Sequence, residues 1–193
     1  MTGVRAVAVF CGSHAGADPA YAEAATAMGR GLAQAGITLI YGGGRIGMMG
    51  LVADAALAAG GQVQGVIPEF LMKWEVAHQG VADMQITDSM HSRKRRMFEL
   101  ADAFVTLPGG IGTLDETIEV LTWRQLKLHA KPILICDVAG SSRGLVGAID
   151  AAVEQGFTGA EVRAFLEVLD GIDAVLDRLR ELPARDATSG ERL

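Results

Sequence analysis

Three groups of residues have the types and spacing to handle an anion. The first is Pro108-Gly109-Gly110-Ile111-Gly112-Thr113-Leu114-Asp115-Glu116, which follows an apolar run at 103–107 and opens a helical pattern. Glycines let backbone approach a ligand closely. The N–H groups and positive dipole end of an opening helix favour phosphate, and the Thr113 hydroxyl adds a donor. Asp115 and Glu116 fall in what reads as the first turn. Asp115 is accounted for as a complement to the helix dipole. Glu116, an acid set beside an anion site, is read as functional.

The second group is Met90-His91-Ser92-Arg93-Lys94-Arg95-Arg96-Met97. Successive helical residues splay by about 100°, so four consecutive cations cannot face one ligand. Arg95 and Arg96 are read as a solvated face. Arg93 and Lys94 are read as contacts to phosphate or base, because a planar Arg fork suits a phosphate or a purine edge. The third group is Gly42-Gly43-Gly44-Arg45-Ile46-Gly47. It fits G-x-G-x-x-G between a strand and a helix, and Glu69 lies about 20 residues beyond, as in a dinucleotide fingerprint. That pattern is the case for a nicotinamide-dependent dehydrogenase. Against it, the turn follows the second strand rather than the first, so Gly43 and Gly44 are read as close-approach positions in the same crevice.

Smaller candidates are Ser13 after the first strand, otherwise a turn cap, and Glu75 in the polar stretch 72–80, otherwise plainly exposed. Thr122 lies on the helix after the Gly-rich turn, where Trp123 reads as a packing residue. His78, His91 and His129 fit no triad or metal spacing and are read as non-catalytic.

Short apolar runs at 4–11, 37–41, 63–67, 103–107 and 133–136 read as strands buried on both faces of a parallel sheet, with a weaker strand at 81–86. Helical patterns fill the gaps at 19–35, 48–59, 91–101, 114–128, 144–155, 160–166 and 172–182. The first has Asp18 as N-cap, Pro19 at its first position and Gly36 as its stop. This alternation predicts one α/β domain over 1–183, a doubly wound parallel sheet flanked by helices. Ligand then sits at the carboxyl ends of the strands, where all three Gly-rich turns fall. The polar stretch 184–193 reads as a frayed tail.

A net charge of −6 and a pI near 5.2 make a nucleic-acid polymer a poor partner. No apolar stretch is long enough to span a bilayer, and the N-terminal run enters a glycine turn like a strand, not a signal peptide. Cys11 and Cys136 read as buried free thiols of a reducing compartment. A cytoplasmic protein is expected.

Taken together, these residues resemble the LOG (Lonely Guy) family, formerly labelled lysine decarboxylase-like. The stretch 108–116 matches its PGGxGTxxE motif, and Met90-His91-Ser92-Arg93-Lys94 matches its upstream MHxRK element. Cys11-Gly12-Ser13, Tyr41-Gly42-Gly43-Gly44, Gly47-Met48-Met49-Gly50 and Gly65-Val66-Ile67-Pro68 are also similar. The resemblance spans about residues 5–180.

It implies a Rossmann-like domain, usually a homodimer. The implied activity cleaves nucleoside 5′-monophosphates into free base, a cytokinin or adenine, and ribose 5-phosphate. Arg93 and Glu116 take the catalytic positions. Substrate contacts fall on Glu75, Arg93, Lys94, Gly110, Ile111, Gly112, Thr113, Leu114, Asp115, Glu116 and Thr122, with Ser13, Gly43, Gly44 and Gly109 lining the same crevice. Ile111 replaces the commoner Tyr, Asp115 a common Glu, and His14 a frequent Ser. No Schiff-base lysine or pyridoxal site is assignable.

Cleavage of a ribosyl bond passes through an oxocarbenium-like state. Glu116 is expected to face the sugar and Arg93 to offset charge on base or phosphate, without metal or cofactor. Alanine at either position is expected to abolish turnover and leave the fold intact. The competing expectation is a non-catalytic nucleotide-binding module of the same fold.

Overall fold

The computed structural model describes residues 3–72 and 76–183. Glu75 and the stretch 184–193 lie outside the described residues. Seven strands alternate with helices: β1 (Ala6–Phe10), α1 (Pro19–Gln34), β2 (Thr38–Tyr41), α2 (Gly47–Ala58), β3 (Val63–Pro68), β4 (Asp83–Thr87), α3 (Met90–Leu100), β5 (Ala103–Thr106), α4 (Ile111–Gln125), β6 (Ile133–Asp137), α5 (Arg143–Glu154), β7 (Leu166–Asp170) and α6 (Gly171–Glu181). All strand pairs are parallel, in the order β4-β3-β2-β1-β5-β6-β7.

The strands read as continuous apolar runs because helices cover both faces. On one face, Val7, Val9, Leu39 and Val105 pack against α1, α2 and α6. On the other, Ala8, Phe10, Ile40 and Phe104 pack against α3, α4 and α5. Phe98 of α3 stacks on Phe104 with centroids 5.6 Å apart, and Trp123 of α4 meets Phe98 edge-on at 5.1 Å. Trp123 is thus a packing residue. Between α1 and α2 the backbones nearly touch, since a Cβ on Gly29 would lie 2.1 Å from the Val52 carbonyl oxygen.

Two expectations need correction. Residues 160–166 do not form an α-helix: Ala160–Phe165 is a 3-10 turn, and Leu166 begins β7. As an edge strand with Glu167 and Asp170 in it, β7 lacks the apolar run of the inner strands. Helix α4 begins at Ile111, three residues before the apolar periodicity does, because Gly110 is its N-cap and Gly112 and Thr113 make its first turn.

Successive strands build outward from β1 to β4, and the chain then crosses to β5 on the other side of β1. That reversal opens a crevice at the carboxyl ends of β1 and β5, the usual ligand position in such sheets.

Candidate active site

Two turns meet at the reversal. The turn after β1 donates its Gly12 N–H to the Pro108 carbonyl at 3.1 Å. A Cβ on Gly109 would lie 2.9 Å from the Gly12 nitrogen and 2.1 Å from the Thr113 hydroxyl. These glycines therefore serve contact between the chain's own loops. Gly110 and Gly112 differ: a Cβ on either would meet nothing within 4 Å. No side chain caps α4, and the bond from the Leu114 N–H to the Gly110 carbonyl at 3.1 Å closes its first turn. The amides of Ile111, Gly112 and Thr113 precede that bond and have no intrahelical acceptor. Open space, glycine backbone and a helix N-terminus thus coincide at one point.

Arg93 enters from α3, whose start is fixed by a reciprocal capping box between Ser89 and Ser92. It is buried. Its Nε–H donates to the Val66 carbonyl at 3.1 Å and its Nη2–H to the Gly42 carbonyl at 2.9 Å. Any Cβ on Gly42 would sit 2.1 Å from that Nη2. Alanine at Arg93 would strand both carbonyls, so it would not leave the fold untouched as the sequence suggested; each buried unsatisfied group costs about 1–3 kcal/mol.

Glu116 enters from α4, half-buried and in the second turn rather than the first. Burial pushes the Cys11 thiol far above its ordinary range; Glu116 pushes it further and Arg93 opposes. Carboxylate and guanidinium thus act on one sulfur at the end of β1.

Dipole complementarity fades beyond the first turn, so it does not account for Asp115 either. Asp115 instead pairs with Lys94 at 3.0 Å, and Lys94 also reaches Glu119 at 3.1 Å. Burial works against the Lys94 charge, but these two partners outweigh it and its pKa is raised. Lys94 is a tie between α3 and α4. Arg95 and Arg96 pair with Glu99 on the outside of α3.

Ser13 is half-buried, its hydroxyl 3.3 Å from His14 Nδ1. Gly47, at φ +63°, backs onto Ser13, where a Cβ would lie 2.3 Å from its carbonyl carbon. Gly43 is at φ +78°, and a Cβ there would lie 2.9 Å from Ile67 Cβ. Gly42, Gly43 and Gly47 of the turn that matched a dinucleotide fingerprint therefore admit this chain's own atoms, one strand away from the reversal. Ile111 and Leu114 face outward from α4. Thr122 is exposed, bonds back to the Ile118 carbonyl at 2.8 Å, and lies about 18 Å along the axis from Gly110. One chain does not bring Thr122 to the crevice.

His78, which fits no triad or metal spacing in sequence, makes a specific pair in the structure. It is 4% exposed, and its Nε2 lies 2.9 Å from Asp54 of α2. Nothing in the spacing of these two residues announces the pair. Among the described residues no His/Cys/Asp/Glu cluster could hold a metal, and no helix is long and apolar enough to cross a membrane.

The fold is a Rossmann-like α/β domain with a glycine-rich helix start at its sheet reversal. Residues 49–179 match the sequence model of a family described as "Possible lysine decarboxylase". The cytokinin riboside 5′-monophosphate phosphoribohydrolase of Rhodococcoides fascians is 42% identical over 177 residues, 91% of this chain and 89% of that one. Cytokinin riboside 5′-monophosphate phosphoribohydrolase LOG7 of Arabidopsis thaliana is 41% identical over 177 residues, 92% of this chain and 82% of that one. The chain belongs to this LOG phosphoribohydrolase family. Among solved structures, the molybdenum cofactor carrier protein of Chlamydomonas reinhardtii has a TM-score of 0.70 at 17% identity, over 92% of this chain and 97% of that one. The molybdenum cofactor binding protein of Rippkaea orientalis has a TM-score of 0.70 at 19% identity, over 91% and 94%. At such identities the likeness is one of fold.

Proposed function

We propose that this protein hydrolyses the N-glycosidic bond of a purine nucleoside 5′-monophosphate, with N6-substituted adenine the favoured base. The observation that carries the reading is the open glycine-rich start of α4 with Glu116 in its next turn, while Glu116 and the buried Arg93 both act electrostatically on Cys11 at the end of β1. The 5′-phosphate sits on the amides of Ile111, Gly112 and Thr113. Ribose then extends along α4 toward Glu116. As the C1′–N bond lengthens, positive charge gathers on the sugar and negative charge on the base. The Glu116 carboxylate stabilises the first and orients water toward C1′. Arg93, already held by two carbonyls, supplies a fixed positive charge that needs no reorganisation. Water adds to C1′, the base leaves with a proton, and ribose 5-phosphate remains. Lys94, engaged with Asp115 and Glu119, holds α3 and α4 at the separation this requires.

The older lysine decarboxylase description finds no support in Lys131, buried with its Nζ on the Phe98 carbonyl at 2.5 Å and over the Phe98 ring, or in Lys94, engaged by two carboxylates.

A homodimer belongs to the same reading. Ile111, 81% exposed, Leu114, Ile118 and Leu126 form an outward apolar stripe along α4, with Thr122 on the same side. A second copy covering this stripe would bring Thr122 into an interface. Action in the cytoplasm also belongs to it, since Cys11 and Cys136 are buried free thiols.

A nucleotide-binding module without turnover is the second reading, favoured by the structural work Arg93 does for Gly42 and Val66. Incubation with AMP, N6-isopentenyl-AMP and adenosine, followed by chromatography, separates the two. Free base from the monophosphates alone supports hydrolysis. Nucleotide bound and recovered intact supports the module.

A further inference from the structure

The Gly42-Gly43-Gly44 turn is gripped from two sides. On one side Arg93 takes the Gly42 carbonyl at 2.9 Å. On the other, residues 76–80 lie against the turn as a short antiparallel ribbon. The His78 N–H donates to the Gly43 carbonyl at 3.0 Å, the Arg45 N–H donates to the Val76 carbonyl at 3.0 Å, and Gly44 bridges Ala77.

The His78 ring fixes this ribbon to α2. Its Nδ1 accepts the Gly80 N–H at 3.1 Å, which leaves the ring proton on Nε2. That Nε2–H points at Asp54 Oδ1, 2.9 Å away. Both ring nitrogens are therefore used, and the ring is almost wholly enclosed. Asp54 itself is open, its side chain 57% exposed, so its carboxylate meets solvent and reaches inward to His78. A carboxylate–imidazole pair of this kind sets the tautomer and the ring's orientation.

We propose that His78 is a positioning residue and that Asp54 is the peg that orients it: together they hold the Gly42 carbonyl where it pins the Arg93 guanidinium. This rests on the phosphoribohydrolase reading above. The ring touches no reacting atom; its effect passes through the Gly43 carbonyl to the turn and from the turn to Arg93. Displacements of about 1 Å at a catalytic group can cost as much as 10²-fold in rate.

The test uses the full chain and starts from Asp54, because its exposure lets it be replaced without disturbing the core. Asp54→Ala removes the acceptor, whereas Asp54→Asn keeps an oxygen for Nε2–H. Hydrolysis of AMP is measured with amide exchange at Arg45 and His78. The expected result for Asp54→Ala is a fall in kcat of about tenfold or more with KM within about twofold, and faster exchange at both amides. Asp54→Asn is expected to retain wild-type values. Wild-type kcat and protection in Asp54→Ala would overturn the proposal, and so would equal losses in both variants, which would mark a charge effect rather than a hydrogen bond. If the wild-type protein releases no base from any nucleotide, the hydrolase reading fails, and amide exchange alone decides whether the peg exists.

Discussion

At the residue scale, Arg93 and Glu116 carry unequal burdens. Arg93 is part of the scaffold, with two carbonyls from different strand ends depending on it. Its replacement mixes lost stability with lost chemistry. Glu116 is half-buried, so Glu116→Gln keeps the shape and removes the charge. Turnover is expected to fall by about 10²–10⁴-fold, the range for a positioned acid or base, with unfolding free energy within about 0.5 kcal/mol of wild type. Single-turnover hydrolysis and calorimetry check the two halves; near wild-type turnover would remove Glu116 from the mechanism. Both residues stand out in the sequence because each lies in a short motif of unusual composition. It gave no sign of the His78–Asp54 pair, which is made across 24 residues by the folding of a loop onto α2, or of the Lys94–Asp115 tie between two helices.

At the element scale, local chemistry explains what could be read. Asp18 accepts the Ala20 N–H at 2.9 Å, Pro19 opens α1, and Gly36 at φ +68° ends the helical segment, each as composition predicted. Inner strands announced themselves because they are apolar on both faces. The edge strand β7 did not, since burial at the edge is partial and its charged residues face outward. The start of α4 lies three residues before its apolar periodicity because glycine is a poor helix former, and a Cβ on Gly110 or Gly112 would meet nothing within 4 Å. That room makes Gly112→Ala informative. The added methyl meets no protein atom and should stabilise the helix by about 0.5–1 kcal/mol. It should also obstruct the cradle and raise KM for AMP about tenfold, the worth of one charge-assisted hydrogen bond. A higher Tm together with unchanged KM would place the phosphate elsewhere.

At the scale of the whole molecule, one sheet reversal brings together the turns after β1 and β5, while α4 has open glycine backbone at its start and an exposed apolar stripe along its length. Ile118→Glu places a charge in that stripe without touching the crevice. Sedimentation is expected to show wild-type protein as a dimer and the variant as a monomer; a monomeric wild type would leave the stripe for some other partner. The uncapped start of α4 has a further consequence. Any small tetrahedral anion that binds these amides only in the native state adds to stability by mass action, about 1.4 kcal/mol for each tenfold excess over its dissociation constant. Inorganic phosphate should then raise Tm with the logarithm of its concentration and compete with the nucleotide. A phosphate buffer would make this protein look sturdier and slower than a zwitterionic buffer of matched ionic strength, and a flat Tm across that comparison would mean the cradle holds no anion.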